Sequence, residues 1–413
     1  MKVTTLSIGD ELLLGEVADT NAARIAERLF MHGIRVHRHL TVGDLEQDIG
    51  DALLYLAGMS DAVIVTGGLG PTLDDITARA AAKAADRRLV LNEEALAHIR
   101  KVAGKLGTGV HPMNEKQALF PASAKLIPNP VGTACGFHLV HNSCSLFFMP
   151  GVPAEMARML EETVIPWIAG MRTGKEVLAT RVLKVFGLSE AEVDDALKHL
   201  ITPGSGVTLA FSVDFPEVHV RLRAAGGSAR AVDEALDTAC SRVRDKLRGY
   251  VFGEDGETLD AVVAELFRQK NVTLSLAESC TGGLVAKRIT DVPGSSAYFA
   301  EGAVTYADAA KTRALGVSPR LLAEKGAVSS ETAMAMARGM RRLCGSDIAL
   351  AITGIAGPGG GSGEKPVGTV FLALASRAGC QAKGYRFSGS RDEIRTITAC
   401  MAMDWLRRHL ISL

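Results

Sequence analysis

The stretch Ala277-Glu278-Ser279-Cys280-Thr281-Gly282-Gly283 sets a hydroxyl, a thiol and two glycines side by side. Ahead of it, Asn271-Val272-Thr273-Leu274-Ser275-Leu276 is rich in β-branched and apolar residues and reads as a buried strand. Behind it, Leu284-Val285-Ala286-Lys287-Arg288-Ile289 carries apolar residues at helical spacing. Ser279 therefore sits where a strand passes into a helix. The first N–H groups of a helix have no partner within it, and glycine lets a ligand come close to the backbone. A nucleophile beside free donors is what acyl transfer needs: one group to attack, and a pocket for the negative charge that develops. The same residues also suit a plain helix cap, with Ser279 or Thr281 as the capping oxygen.

The choice of base is narrowed by where histidine falls. Every histidine lies at or before His219 except His409, and none lies between 256 and 400. A serine–histidine–aspartate triad is thus not available around Ser279, and the base must be a lysine, a tyrosine or a carboxylate. Tyr306 and Lys311, in Thr305-Tyr306-Ala307-Asp308-Ala309-Ala310-Lys311, stand out at the end of a strand-like run. A lysine serves as base once burial or a neighbouring cation lowers its pKa from about 10.4 towards neutrality. The plainer alternative is a tyrosine at a strand end and a solvated lysine. Cys280 is a rival nucleophile, because a thiol at a helix N-terminus can ionise more easily; a buried, inert thiol is its plainer alternative.

A second constellation lies near the start of the chain. Gly67-Gly68-Leu69-Gly70-Pro71-Thr72 follows the strand-like Asp61-Ala62-Val63-Ile64-Val65-Thr66 and makes a candidate phosphate cradle from Gly67, Gly68, Gly70 and Thr72. Asp10 and Glu11 follow a first strand, Val3 to Ile8, and Asp74 and Asp75 follow the glycine loop. Carboxylates beside a phosphate cradle repel the ligand unless a divalent cation sits between them. Asp10, Glu11, Asp74 and Asp75 are accordingly the candidate metal ligands for a phosphate or pyrophosphate ester. The alternative is that Asp74 and Asp75 only favour a helix N-terminus.

The elements that must position these groups alternate. Residues 1–170 run strand, helix, strand, helix, strand, glycine loop, helix, then a hairpin flanked by Pro-Gly loops and a closing helix from about Ala154 to Ile168. Such alternation predicts an α/β fold with a doubly wound parallel sheet, whose ligands bind beyond the carboxyl ends of the strands. Residues 177–253 read as a small α+β module whose basic and acidic residues balance, so its charge argues against RNA and for a spacer or dimer contact. From 256 to 413 the alternation returns, with a helix capped by Ser329, a strand Asp347 to Thr353, and a glycine-rich loop placed to face substrate.

Composition sets outer limits. With 413 residues, two or three domains are expected. Lys plus Arg equals Asp plus Glu at 46 each, which gives no basic excess for nucleic acid or an anionic membrane. The scattered, odd-numbered seven cysteines without a Cys-x-x-Cys pair point to reduced thiols in a cytoplasmic setting and to no structural zinc. No apolar run reaches membrane-spanning length, and Asp10-Glu11 arrive too early for a signal peptide.

The motifs resemble the competence/damage-inducible protein A (CinA) family over essentially the whole chain. The C-terminal part has the Ala277–Gly283 turn, Gly-Ala-Val-Thr-Tyr at 302–306, Thr-Gly-Ile-Ala-Gly-Pro at 353–358, Lys-Pro-Val-Gly-Thr-Val at 365–370 and Phe387-Ser388-Gly389-Ser390-Arg391. The N-terminal part has Gly-Asp-Glu-Leu-Leu-Leu-Gly at 9–15, Thr-Gly-Gly-Leu-Gly-Pro-Thr at 66–72 and Asn-Pro-Val-Gly-Thr-Ala at 129–134. The resemblance implies a molybdopterin-binding-like domain at 1–170 with metal-dependent ADP-ribose pyrophosphatase activity, a KH-like module at 177–253, and a nicotinamide mononucleotide (NMN) amidohydrolase at 256–413. It implies Ser279 as nucleophile with Tyr306 and Lys311 as partners. Oxyanion and substrate contacts then come from Cys280, Thr281, Gly282, Gly283, Thr353, Gly354, Gly357 and Arg391, with Arg391 on the NMN phosphate. A divalent cation is implied in the N-terminal domain and no cofactor for the deamidase. A homodimer is the family expectation. Cys135 stands where the family usually has proline, and Ser390 where an aspartate is common before Arg391. Two other readings stand beside this: an N-terminal domain that only binds a molybdopterin-like ligand, and a non-enzymatic partner in DNA uptake or recombination.

Overall fold

The computed structural model describes residues 1–105, 112–171, 177–201 and 205–413. Of the residues between the expected domains 1–170 and 177–253, only Met171 is described. The chain divides into two compact units, one formed by 1–179 with 224–234, the other by 180–223 with 235–413.

In the first unit, strands Val3–Ile8, Val36–Val42, Ala62–Thr66 and Cys144–Met149 are parallel, and Gly136–His141 and Lys125–Ile127 add antiparallel strands at one edge. The sheet is therefore mixed rather than wholly parallel, because the expected hairpin joins it: Gly136–His141 and Cys144–Met149 are its two arms. Both faces are covered. Leu6, Ile8, Val63 and Val65 enter one core with Ile49, Leu53 and Leu56, while Val3, Ala62 and Ile64 enter another with Ile25 and Leu29. Alternating residues of one strand thus feed opposite layers, which is why Val3–Ile8 and Ala62–Thr66 are buried along their whole length. Asp19 caps the helix Thr20–Met31 by accepting the Ala22 N–H. The parallel registers place Ile8 beside Val42, and Ser7 beside Thr66, which in turn pairs with Met149. Four chain segments therefore leave the sheet at one edge, beyond the carboxyl ends of the strands.

In the second unit, the strands Phe299–Val304, Leu274–Glu278 and Ile348–Gly354 are parallel, and Thr369–Ser376 and Gly379–Arg386 complete the sheet antiparallel. Its two faces differ in residue size. Leu274, Leu276, Leu350 and Ile352 pack one core with Phe267, Met403 and Leu406. Ala277, Ala349, Ala351, Ala373 and Ala375 line the other, against Ala333, Met336, Ala337 and Met340 of helix Ser330–Cys344. The alanines let that helix sit close. The smaller four-stranded sheet uses Val177–Phe186, Val207–Asp214, Glu217–Gly226 and Val251–Glu254. Among the described residues no helix is long and apolar enough to cross a membrane. All seven cysteines are free thiols.

Candidate functional site

The strand Leu274–Glu278 ends one residue before Ser279, and its register sets Glu278 beside Val304. The turns that follow the two strands are therefore neighbours. Thr305 donates its N–H to the Glu278 carbonyl at 2.8 Å, and helix Asp308–Leu315 then carries Lys311 back towards Ser279. Lys311 Nζ lies 3.2 Å from Ser279 Oγ and also donates to the carbonyls of Thr305 and Tyr306, both at 3.0 Å.

Lys311 is only 1% exposed, and this burial pushes its pKa below the usual lysine value, against the opposing pull of Asp308 at 3.7 Å. A neutral amine has two N–H bonds and one lone pair. The two carbonyls take the two N–H bonds, which leaves the lone pair to face the Ser279 hydroxyl. The arrangement thus suits proton removal from serine once the amine is neutral.

Cys280 takes no such part. Its side chain packs in the hydrophobic core, and burial drives its thiol pKa up to about 12. The helix N-terminus does not activate this thiol, since desolvation outweighs the backbone donors.

Glu278 changes the expected donor set. It is 1% exposed, and its carboxylate accepts the N–H groups of Gly283 at 3.0 Å, Val285 at 3.2 Å and Ala286 at 2.8 Å. Gly282 donates to the Ser279 carbonyl at 3.0 Å. Gly282 and Gly283, expected as oxyanion donors, are therefore committed within the protein. Their backbones have φ of 61° and 90°, the left-handed region that glycine enters freely, so their role is to shape the turn. Among the described residues the N–H groups of Cys280 and Thr281 enter no backbone–backbone hydrogen bond, and both lie towards the Cys280 sulfur. Glu278 lay inside the motif, but its carboxylate reads only as a strand-end acid until the helix folds over it.

Tyr306 contributes its carbonyl to Lys311, whereas its side chain is 59% exposed and its hydroxyl accepts from Arg391 Nη2 at 3.1 Å. Arg391 also donates to the Gly357 carbonyl at 2.6 Å. One turn further along the same helix, Arg395 donates to the Thr281 carbonyl at 2.9 Å. Two arginines of helix Arg391–Ile411 thus brace the Ser279 turn, Tyr306 and the glycine loop. Arg391 forms no ion pair with Asp392 or Glu393; Glu393 instead closes a capping box with Ser390, so serine at 390 caps the helix. Thr353 is buried and donates to the Ala327 carbonyl at 2.8 Å, which makes it a support of the loop. Gly354 ends its strand against Thr369 and Val370.

In the first unit the strand ends enclose a cavity of about 440 Å³. Its walls include Glu11, Gly67, Gly68, Gly70, Asp74 and Asp75, together with Asp44, Gln117 and Glu155, which the motifs did not mark. Gly67 must be glycine: at φ 106° an added Cβ would lie 2.1 Å from the Ile8 carbonyl oxygen. The Asp10 and Asp44 carboxylates each accept the other's backbone N–H, Asp44 N–H to Asp10 Oδ1 at 3.0 Å and Asp10 N–H to Asp44 Oδ2 at 2.9 Å. Burial raises the Asp44 pKa, and the neighbouring Asp10, Glu11 and Asp74 add to the rise. Asp75 accepts from the Thr72 N–H at 2.9 Å and hydroxyl at 2.6 Å, so Thr72 is a turn residue and neither it nor Asp10 lines the cavity. Among the described residues, no group of three His, Cys, Asp or Glu is placed to hold a metal ion. The four expected ligands do not form a ready cage, because Asp10 and Asp75 already serve local donors.

The fold and these sites define a two-unit α/β protein: a mixed sheet with an acid-lined glycine-loop cavity in one unit, and a serine–lysine pair at a strand–helix turn in the other. Family models match accordingly: the probable molybdopterin binding domain at residues 4–170, the damage-inducible protein CinA KH domain at 180–253, and the CinA C-terminal domain at 256–410. A CinA-like protein of Geotalea uraniireducens is 63% identical over 100% of this chain and 98% of its own length, and one of Geobacter sulfurreducens is 61% identical over 100% of both. The chain belongs to the CinA family. Among solved structures, the competence/damage inducible protein CihA from Agrobacterium tumefaciens is 44% identical, covers 37% of this chain and 93% of its own, and superposes with a TM-score of 0.36.

Proposed function

We propose that the C-terminal domain hydrolyses the carboxamide of nicotinamide mononucleotide. The observation that carries this reading is Lys311 Nζ at 3.2 Å from Ser279 Oγ, buried and held by two carbonyls. Lys311 takes the hydroxyl proton as Ser279 Oγ bonds to the carboxamide carbon. The carbonyl oxygen gains the electron pair and is held by the N–H groups of Cys280 and Thr281, each such donor being worth about 10²–10³ in rate. Collapse breaks the C–N bond, and ammonia leaves with the proton from Lys311. Water then adds to the ester, Lys311 again taking its proton, and nicotinate mononucleotide is released with Ser279 restored. Ammonia release on mixing the protein with NMN tests the reading; its absence, with a folded protein and saturating substrate, rejects it.

The first unit supports a second activity: hydrolysis of a nucleotide pyrophosphate such as ADP-ribose. The cavity in which the Gly67–Gly70 loop faces Glu11, Asp44 and Asp74 supports it. The carboxylates do not make a protein-only metal cage. A hard cation held by one or two carboxylates and by the ligand's own phosphates would suit Glu11 and Asp74. Both substrates are breakdown products of NAD, so one chain would recycle both.

A further inference from the structure

A concavity of the C-terminal domain, about 610 Å³ in volume, lies away from Ser279. Ser346 precedes the strand Ile348–Gly354, whose far end leads to the glycine loop, and Ser376 ends the antiparallel strand beside it. The cavity is thus at the amino ends of the parallel strands, and Ser279 is at their carboxyl ends. Arg338, Arg341 and Arg342 line it with Ser346, Ser376 and Cys380, and no carboxylate is among its walls. Its volume is in the range of ligand pockets, about 300–1,000 Å³.

Three guanidinium groups around one concavity repel each other unless an anion joins them. Attraction to the negative helix end accounts for Arg341 and Arg342, which lie in the last turn of Ser330–Cys344. It does not account for Arg338, which lies before that turn. Asp347, which follows Ser346, is already engaged: it pairs with Arg377 at 3.4 Å, and Arg341 donates through Nε to its carbonyl at 3.2 Å, leaving the other donors of Arg341. No ion pair involves Arg338 or Arg342 among the described residues, and both are exposed. Forked donors of this kind match phosphate oxygens two at a time, and three of them exceed what a single phosphate can use; the buried Ser346 hydroxyl is bonded to Ser275 and to the Ile348 carbonyl and serves as wall only.

We propose that this cavity is a non-catalytic anion site for a small molecule bearing a pyrophosphate group, such as a nucleoside diphosphate. The test is a calorimetric titration of inorganic pyrophosphate into the full chain, with chelator present to silence metal-carried binding in the first unit. The wild type should bind. Arg338→Ser/Arg342→Ser should weaken binding at least tenfold, and Arg338→Lys/Arg342→Lys should restore part of it. Arg391→Ala, at the other end of the sheet, should bind like the wild type. Ammonia release from NMN by the double serine variant should be unchanged, which also shows that it folds. No binding by the wild type, equal binding by the double serine variant, or loss in Arg391→Ala alone would overturn the proposal. So would tighter binding of a single-stranded oligonucleotide through the same arginines, which would assign the cavity to a nucleic-acid backbone.

Discussion

The Glu278 carboxylate and the Ala286 N–H meet at 2.8 Å across the turn that carries Ser279. With the bonds to Gly283 and Val285, this one side chain satisfies the start of helix Leu284–Thr290 from inside. It thereby decides which N–H groups are left for a substrate oxygen. Glu278→Gln replaces one acceptor oxygen with a donor that faces backbone donors. A buried donor left unsatisfied costs about 1–3 kcal/mol. We expect a lower urea midpoint together with a lower kcat for ammonia release, and partial recovery of the midpoint in Glu278→Asp. A glutamine variant with wild-type midpoint and turnover would remove Glu278 from the site's architecture.

Ser279→Ala should abolish ammonia release by several orders of magnitude, as loss of a covalent nucleophile does. Cys280→Ala should keep most of it, because a thiol with a pKa of about 12 is not ionised at neutral pH. Iodoacetamide at pH 7 should leave activity intact for the same reason. Inactivation by alkylation of Cys280, with Ser279→Ala still active, would reverse the assignment.

The pH dependence should follow Lys311. Its pKa is lowered by burial, so the charged form predominates below that pKa and the neutral base above it. kcat/KM should therefore rise with pH through a midpoint below the usual lysine value and level off above it. Lys311→Arg keeps a charge that cannot be shed near neutrality and should be inactive across the range. Near-normal turnover of the arginine variant would reduce Lys311 to a structural role.

Arg391 reaches both Tyr306 and the Gly357 carbonyl, so its substitution tests binding and bracing together. If Arg391 also reads the phosphate of NMN, Arg391→Ala should raise KM for NMN strongly and hardly alter the poor use of nicotinamide riboside. Tyr306→Phe removes the hydroxyl and keeps the carbonyl that holds Lys311, so kcat should fall far less than in Lys311→Arg. Equal losses on NMN and riboside in Arg391→Ala would leave bracing as its whole role.

For the first unit, ADP-ribose hydrolysis should require a divalent ion and be lost in Asp74→Asn, while ammonia release from NMN is untouched. Asp44→Asn should weaken it too, because Asp44 shares the cavity wall with Glu11 and Asp74. Hydrolysis that survives excess chelator would count against a metal-carried reaction.

The sequence by itself determined what is local. The run from Leu274 to Ile289 announces a strand, a glycine turn and a helix, because propensity and periodicity act over a few residues. The lack of histidine between 256 and 400 narrows the base to other residue types before any fold is known. The alternation of elements likewise announces doubly wound layers. Tertiary structure decided what depends on strand pairing. Ser279 and Lys311 are 32 residues apart and meet because Glu278 and Val304 end adjacent parallel strands. Asp44 joins Glu11 because Ile8 pairs with Val42, which brings two unrelated loops to one edge. That Cys280 is held as an un-ionised thiol turned on how deeply the core buries it. Which N–H groups stay free turned on where a folded helix meets the Glu278 carboxylate. Neither is a property of nearest neighbours in sequence, since both follow from surfaces that exist only once the sheet and its helices have packed.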